Sequence, residues 1–114
     1  MTTQPLAQTF KIDAIGGVFL TSVNLFFATK DPTIPVWIEI RNTVAGTPGQ
    51  QVLPYSRKIL EPAFVNTDFE RGETPTSFVF ESPVYCQEGQ EYALVIVSKS
   101  QEYLIWTARV GGTD

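Results

Sequence analysis

Few residues in this chain have chemistry to offer: Trp37, Glu39 and Arg41, spaced by two, and Tyr55 further along. In an extended strand, residues two apart share a face, so an indole, a carboxylate and a guanidinium would stand side by side. Such a face can stack a flat ring and hydrogen-bond its rim, as aromatic platforms do with sugars through dispersion and C–H to π contact. The plainer reading is cross-strand packing or a protein contact. Arg41 lies four residues from Trp37, about 13 Å away along one face, so no cation–π pair is expected between them. Tyr103 and Trp106 are further aromatics of the same type. Trp106 shares parity with Leu104 and Ala108, which predicts a core or half-buried indole with its N–H paired.

No catalytic, cofactor-binding or metal-binding residue is expected. The chain has no histidine, which removes the usual general base, the usual zinc ligand and any Ser/His or Cys/His arrangement. Cys86 is the single cysteine; it can form no internal disulfide and reads as a small buried hydrophobe. Glu39 and Glu91 could form a glycosidase-like carboxylate pair, but nothing in the sequence brings them together. Asp68, Glu70 and Glu73 could ligate a hard cation, yet their spacing matches no calcium loop and a solvated loop is the simpler reading.

These residues must be held by one domain, residues 1–114, with an ordered core at 5–111, since 114 residues is near the commonest domain size. A 43% hydrophobic share suits a globular core, and the 12% aromatic share favours pleated surfaces over helices. The net charge of −4 comes without any Lys/Arg cluster, which disfavours a nucleic-acid partner. Met1-Thr2-Thr3-Gln4 carries no basic n-region leading into an apolar stretch, so no export signal is expected. No apolar run approaches about 18 residues, so no membrane span is expected either.

Period-2 alternation recurs along the chain. Residues 6–12 put Leu6, Gln8, Phe10 and Ile12 on one face, so Gln8 should be buried and hydrogen-bonded. Residues 18–29 form a long strand with Phe19, Thr21, Val23, Leu25 and Phe27 in the core. In 36–41, Val36, Ile38 and Ile40 alternate with Trp37, Glu39 and Arg41, leaving one face wet. Residues 42–49 read as a loop with a turn at Thr47-Pro48-Gly49, and 52–60, interrupted by Pro54, as an irregular edge. Residues 61–75 make the longest loop and cross between sheets. In 76–81 Phe78 and Phe80 point inward and Val79 outward, and Ser82-Pro83-Val84-Tyr85 bends the chain. Tyr92 to Val97, apolar on both faces, is the most central strand. Residues 103–110 close the domain before Gly111-Gly112-Thr113-Asp114 frays. This spacing predicts an all-β fold, a two-layer antiparallel sandwich of jelly-roll or Ig-like topology.

The phrases Pro5-Leu6-Ala7-Gln8-Thr9-Phe10, Gly17-Val18-Phe19-Leu20-Thr21-Ser22-Val23, Phe26-Phe27-Ala28-Thr29-Lys30-Asp31, Pro35-Val36 with Ile40-Arg41, and Ser82-Pro83-Val84-Tyr85 carry a similarity that extends over nearly the whole chain, ending near Trp106 to Gly111. Together they resemble a β-sandwich module of virion structural proteins, the baseplate-wedge and tail-associated proteins of large contractile-tailed bacteriophages of the cyanophage type. There the module is embedded in a longer chain and carries no catalytic residues. The resemblance implies a non-enzymatic structural or interaction domain of a phage tail or baseplate, assembled in the host cytoplasm and located in the virion. It further implies other virion or baseplate proteins as partners, and Gln8, Phe10, Pro83 and Tyr85 as fold determinants. The rival expectation is a carbohydrate-binding module for host-surface glycan; on either reading Trp37, Glu39, Arg41 and Tyr55 are the expected ligand or partner contacts.

Overall fold

The computed structural model describes residues 2–3 and 6–113. In chain order these form β1 (Thr2–Thr3), β2 (Leu6–Lys11), β3 (Val18–Thr29), β4 (Val36–Val44), β5 (Thr47–Val52), β6 (Lys58–Leu60), a 3-10 turn (Pro62–Phe64), β7 (Thr76–Cys86), β8 (Glu91–Ser98) and β9 (Leu104–Thr113). One sheet has the order β1-β9-β3-β7. The other has β2-β8-β4-β5, with β6 also paired to β4. All these pairings are antiparallel. With β5 and β6 counted as one interrupted strand, every connection except the β4–β5 hairpin switches sheets. That wrapping makes the two-layer sandwich a jelly roll rather than an Ig-like fold.

The core lies between the layers. Ile38 and Ile40 of β4 sit opposite Ile96 and Leu94 of β8, and Val36 opposite Ser98, in registers that place the three β4 residues on the inner face. Val23, Leu25 and Phe27 of β3, Phe78 and Phe80 of β7 and Ile105 of β9 fill the other side. Phe27 is the centre of an aromatic group, with Tyr103 at 5.7 Å edge-on and Phe78 at 6.3 Å. Burial pushes the Tyr103 hydroxyl up to about 12, so it stays protonated and donates to the Ile34 carbonyl. Cys86 is buried as expected, its thiol pushed up to about 11 by desolvation, which leaves it a neutral hydrophobe. Phe78 and Phe80 are inward and Val79 outward, as their parity predicts.

Bulges account for several departures from simple alternation. On β3 the register shifts between Leu20 and Ser22, so Leu20 joins the core while Phe19 is 44% exposed and Thr21 only half-buried. Opposite that shift, β7 uses five positions from Val79 to Val84 where β3 uses two, so the bend expected at Ser82-Pro83 is a bulge inside one strand. Pro83, without an N–H, belongs in such a place. On β9, Phe26 pairs with Thr107 and Phe27 with Ile105, which leaves Trp106 as an extra residue. The bulge turns its indole outward, 39% exposed, against the expected inward parity with Ala108. Its N–H is paired all the same, donating to the Asp68 carbonyl at 2.9 Å. Gly72 lies flat on that indole: a Cβ there would come within 2.6 Å of the ring.

Other corrections are local. Gln8 is exposed rather than buried, because β2 is the last strand of its sheet and neither face is covered at its middle. The expected loop at 42–49 is mostly strand: β4 continues to Val44 and β5 begins at Thr47. Ala45 and Gly46 make a two-residue turn with φ of 54° and 81°, the type I′ pattern that matches strand twist. At the C-terminus, the residues expected to fray are paired in β9 as far as Thr113. Asp114 and Pro5 lie outside the described residues. The long loop at 61–75 does cross between sheets, and Lys30 holds it by donating from Nζ to the carbonyls of Pro62 and Val65 at 2.8 and 2.9 Å.

Candidate functional site

The expected contact residues divide between two places. Trp37, Glu39 and Arg41 lie together on the outer face of β4. Glu39 is the hub: Trp37 Nε1 donates to its Oε1 at 3.2 Å, Arg41 Nε to its Oε2 at 3.4 Å, and Arg41 Nη2 stands 3.3 Å from Oε1. Arg41 Nη1 donates to the Gly49 carbonyl on β5 at 3.4 Å. This face is not the wet one that alternation predicts. Glu39 is only 7% exposed, and the cross-strand neighbours Val95 and Ala93 are buried as well.

Trp37 is half-buried, and its ring carries the Arg57 guanidinium 5.0 Å from its centroid. The cation–π pair is therefore made by Arg57 and not by Arg41. Arg57 precedes β6, whose Ile59 pairs with Trp37. No pattern in the sequence registers a three-residue strand after a turn, so this partner was not legible there. The geometry is that of a packed surface network: it closes the indole face a sugar would need.

Tyr55 stands apart from this network. It lies in the connection from β5 to β6, where Ser56 N donates to the Leu53 carbonyl at 3.2 Å and closes a four-residue turn. Pro54 occupies the second position and Tyr55, with φ of 67°, the third, the φ pattern of a type II turn. Glycine is the usual occupant there, because an L side chain in this region costs about 1–2 kcal/mol. The turn is held from beneath by buried Ser56, whose hydroxyl donates to the Leu53 carbonyl at 2.8 Å and accepts from Ile40 N at 3.1 Å. The strained residue is displayed, 65% exposed.

Beside it runs a cleft of about 230 Å³ lined by Leu53, Pro54, Tyr55, Pro83, Val84 and Tyr85. It lies where the β5–β6 edge of one sheet meets β7, the edge of the other. None of the six lining residues is charged. Tyr85 is fixed: its hydroxyl donates to the Gly16 carbonyl at 2.9 Å and its ring packs at 5.1 Å on Phe19. Pro83 and Tyr85, expected as fold determinants, thus also line a surface. Gln8 and Phe10, the other two, are an exposed edge residue and a partly buried core neighbour of Tyr92.

The acidic loop is organised by its own backbone. Asp68 accepts from Arg71 N at 3.1 Å and Glu73 N at 3.0 Å, which holds its carboxyl below the usual range. Among the described residues no group of three or more His, Cys, Asp or Glu is placed to hold a metal ion. Among them, too, no helix is long and apolar enough to cross a membrane. Against this geometry, no family model, no curated protein and no solved structure matches the chain.

Proposed function

We propose that this chain is a non-enzymatic structural and interaction domain, part of a phage tail or baseplate as its resemblance implies, and that it works in the virion. The observation that carries the interaction reading is the cleft at Tyr55 and Tyr85. An uncharged, proline- and tyrosine-lined surface, with one wall in a strained backbone conformation, is placed where sheet edges meet. Backbone strain of this kind clusters at ligand clamps and other functional sites. Aromatic side chains with few rotamers are also the common anchors of protein contacts. The test is binding of the immobilised domain to isolated tails or baseplates. Capture of a tail or baseplate component that is lost in Tyr55→Ala and kept in Trp37→Phe is expected; no capture by the folded domain overturns the reading.

The second reading, a carbohydrate-binding module for host-surface glycan, is favoured by the cleft and not by Trp37. At about 230 Å³ it falls below the roughly 300–1,000 Å³ of drug-sized sites. It would take one ring, stacked on a tyrosine. Saturable binding on a glycan array, abolished by Tyr55→Ala with the fold intact, would make this the better reading.

A further inference from the structure

The edges of the two sheets are protected unequally. β1 has two residues. The β5–β6 edge is broken by the Pro54-Tyr55 turn, and β7 is interrupted by the bulge at Pro83. β2 is different: it pairs with β8 in unbroken register from Leu6 opposite Ile96 to Lys11 opposite Glu91, with no bulge, glycine or proline. Ala7, Gln8 and Thr9 are all exposed although consecutive residues face opposite sides. No side chain or loop backbone hydrogen-bonds to residues 6–11 among the described residues. A regular strand with a bare outer edge is a template for another strand, and natural proteins usually blunt it.

We infer that β2 is a pairing edge and that its occupant is β2 of a second copy of this chain, antiparallel about a two-fold axis at Gln8. The pattern is self-complementary. With Gln8 opposite its symmetry mate, Leu6 faces Phe10 of the second copy and Ala7 faces Thr9. Leu6 and Phe10 already pack partly buried on the core, so pairing extends that core across the axis. The Gln8 amide, left between them in water on the side that should be buried, gains a matching amide. Charge permits the pairing: Lys11, the one charged residue of the strand, falls beyond the 6–10 overlap, so no like charges are opposed. A five-residue overlap spans about 17 Å and buries less than the roughly 800 Å² per partner of a standard interface. The dimer is therefore weak and forms at high local concentration, as in an assembly. This names one surface of the interaction domain proposed above, and rests on that reading.

The test is sedimentation of the folded chain over a concentration series, with mild oxidation of single-cysteine additions; Cys86 is buried and inert in each. Average mass should rise with concentration in the parent chain and stay monomeric in Gln8→Lys, which opposes two charges on the axis. Gln8→Cys should cross-link into dimers about tenfold faster than Ala7→Cys or Thr9→Cys, whose mates are offset by two positions. Circular dichroism checks that each variant folds. A parent chain monomeric at its highest soluble concentration overturns the inference, as does equal cross-linking at 7, 8 and 9. If that monomer still captures tail components, self-pairing alone has failed. If the dimer forms and nothing is captured, the assembly reading has.

Discussion

On the outer face of β4, every polar side-chain atom of Trp37, Glu39 and Arg41 has a partner, and Arg57 covers the indole. At the β5–β7 cleft, Tyr55 stands exposed on strained backbone, and its hydroxyl has no hydrogen-bond partner among the described residues. Both surfaces present an aromatic residue of the same sheet, Trp37 from the inner strand β4 and Tyr55 from the β5–β6 connection at its edge. Alternation locates a face but says nothing about whether the face is occupied. A surface whose groups satisfy one another contributes stability; one whose groups are strained and unpaired has binding capacity left over. Replacing residues should therefore separate the two, with stability lost on the first and binding lost on the second.

The scale for both is set by the core they share. Phe78 is fully buried and packs against Phe27, so Phe78→Ala should cost about 3–5 kcal/mol. That is a large part of a marginal stability of about 5–15 kcal/mol. Chemical denaturation measures it. A loss under about 1 kcal/mol would mean that the inward assignment of β7 is wrong, and with it the position of the cleft wall.

Glu39→Ala comes next. It leaves the Trp37 N–H and the Arg41 guanidinium without their carboxylate on a face that is largely dry, so about 1–3 kcal/mol should be lost. Binding at the cleft should not change. Equal loss of stability in Tyr55→Ala would mean that the Tyr55 surface is as closed as the β4 face.

Acid should act on the same side. Asp31 accepts from Thr33 N and Ile34 N, both at 2.7 Å, and from Ser100 Oγ at 2.7 Å, pinning the turn that leads into β4. The backbone bonds from Ile34 and Thr33, then the Ser100 hydroxyl, hold its carboxyl well below the usual range. Because the folded value is depressed, this contribution is complete above the ordinary Asp value of about 3.9 and is lost as pH falls below it. Glu102 works the other way: its hydrogen bond to Asp31 and the neighbouring charge raise it, so it favours the fold at low pH and less so as pH rises. Denaturant melts between neutral pH and pH 2 should show acid destabilisation that shrinks in Asp31→Asn. An unchanged acid limb in that variant would mean that Asp31 contributes nothing to the acid sensitivity.

Much of this fold was legible because burial on one face imposes period 2. Val36, Ile38 and Ile40 and the Phe78–Phe80 pair lie where alternation puts them, and the run at Tyr92 to Val97, apolar on both faces, lies inside its sheet between β2 and β4. Three kinds of feature were not legible. Bulges reset parity without a residue that marks them, which moved Phe19 and Trp106 outward. Edge position decides exposure by what lies beside the strand, which Gln8 cannot reveal from its own neighbours. The site itself needs partners distant in sequence: Tyr55 meets Pro83 and Tyr85, and Trp37 meets Arg57, only after the jelly roll has wrapped.

Tyr55→Gly should have a smaller effect of unusual sign. Glycine accepts a φ of 67° freely, so relief of about 1 kcal/mol is expected, less what glycine adds to the entropy of the unfolded chain. Stability should hold or rise slightly while capture of tail components, or of a sugar, is lost. A clear drop in the denaturation midpoint would mean that the Tyr55 ring packs as part of the fold, and the cleft would lose its claim as the open surface.

The smallest effect is expected at Arg57. Its guanidinium lies over the Trp37 ring from an exposed position, where such pairs are worth about 0.5–1 kcal/mol. Arg57→Ala should cost no more than that, yet it uncovers the indole face while Glu39 still holds the indole N–H. Trp37 fluorescence should then shift to the red and become more accessible to a neutral quencher, read in a Trp106→Phe background so that one indole reports. If uncovering the ring creates sugar binding that the parent chain lacks, Arg57 is what keeps the β4 face closed, and the two surfaces differ by one side chain. If emission and quenching do not move, the ring is covered by something other than Arg57, and the contrast between a closed face and an open cleft rests on Glu39 alone.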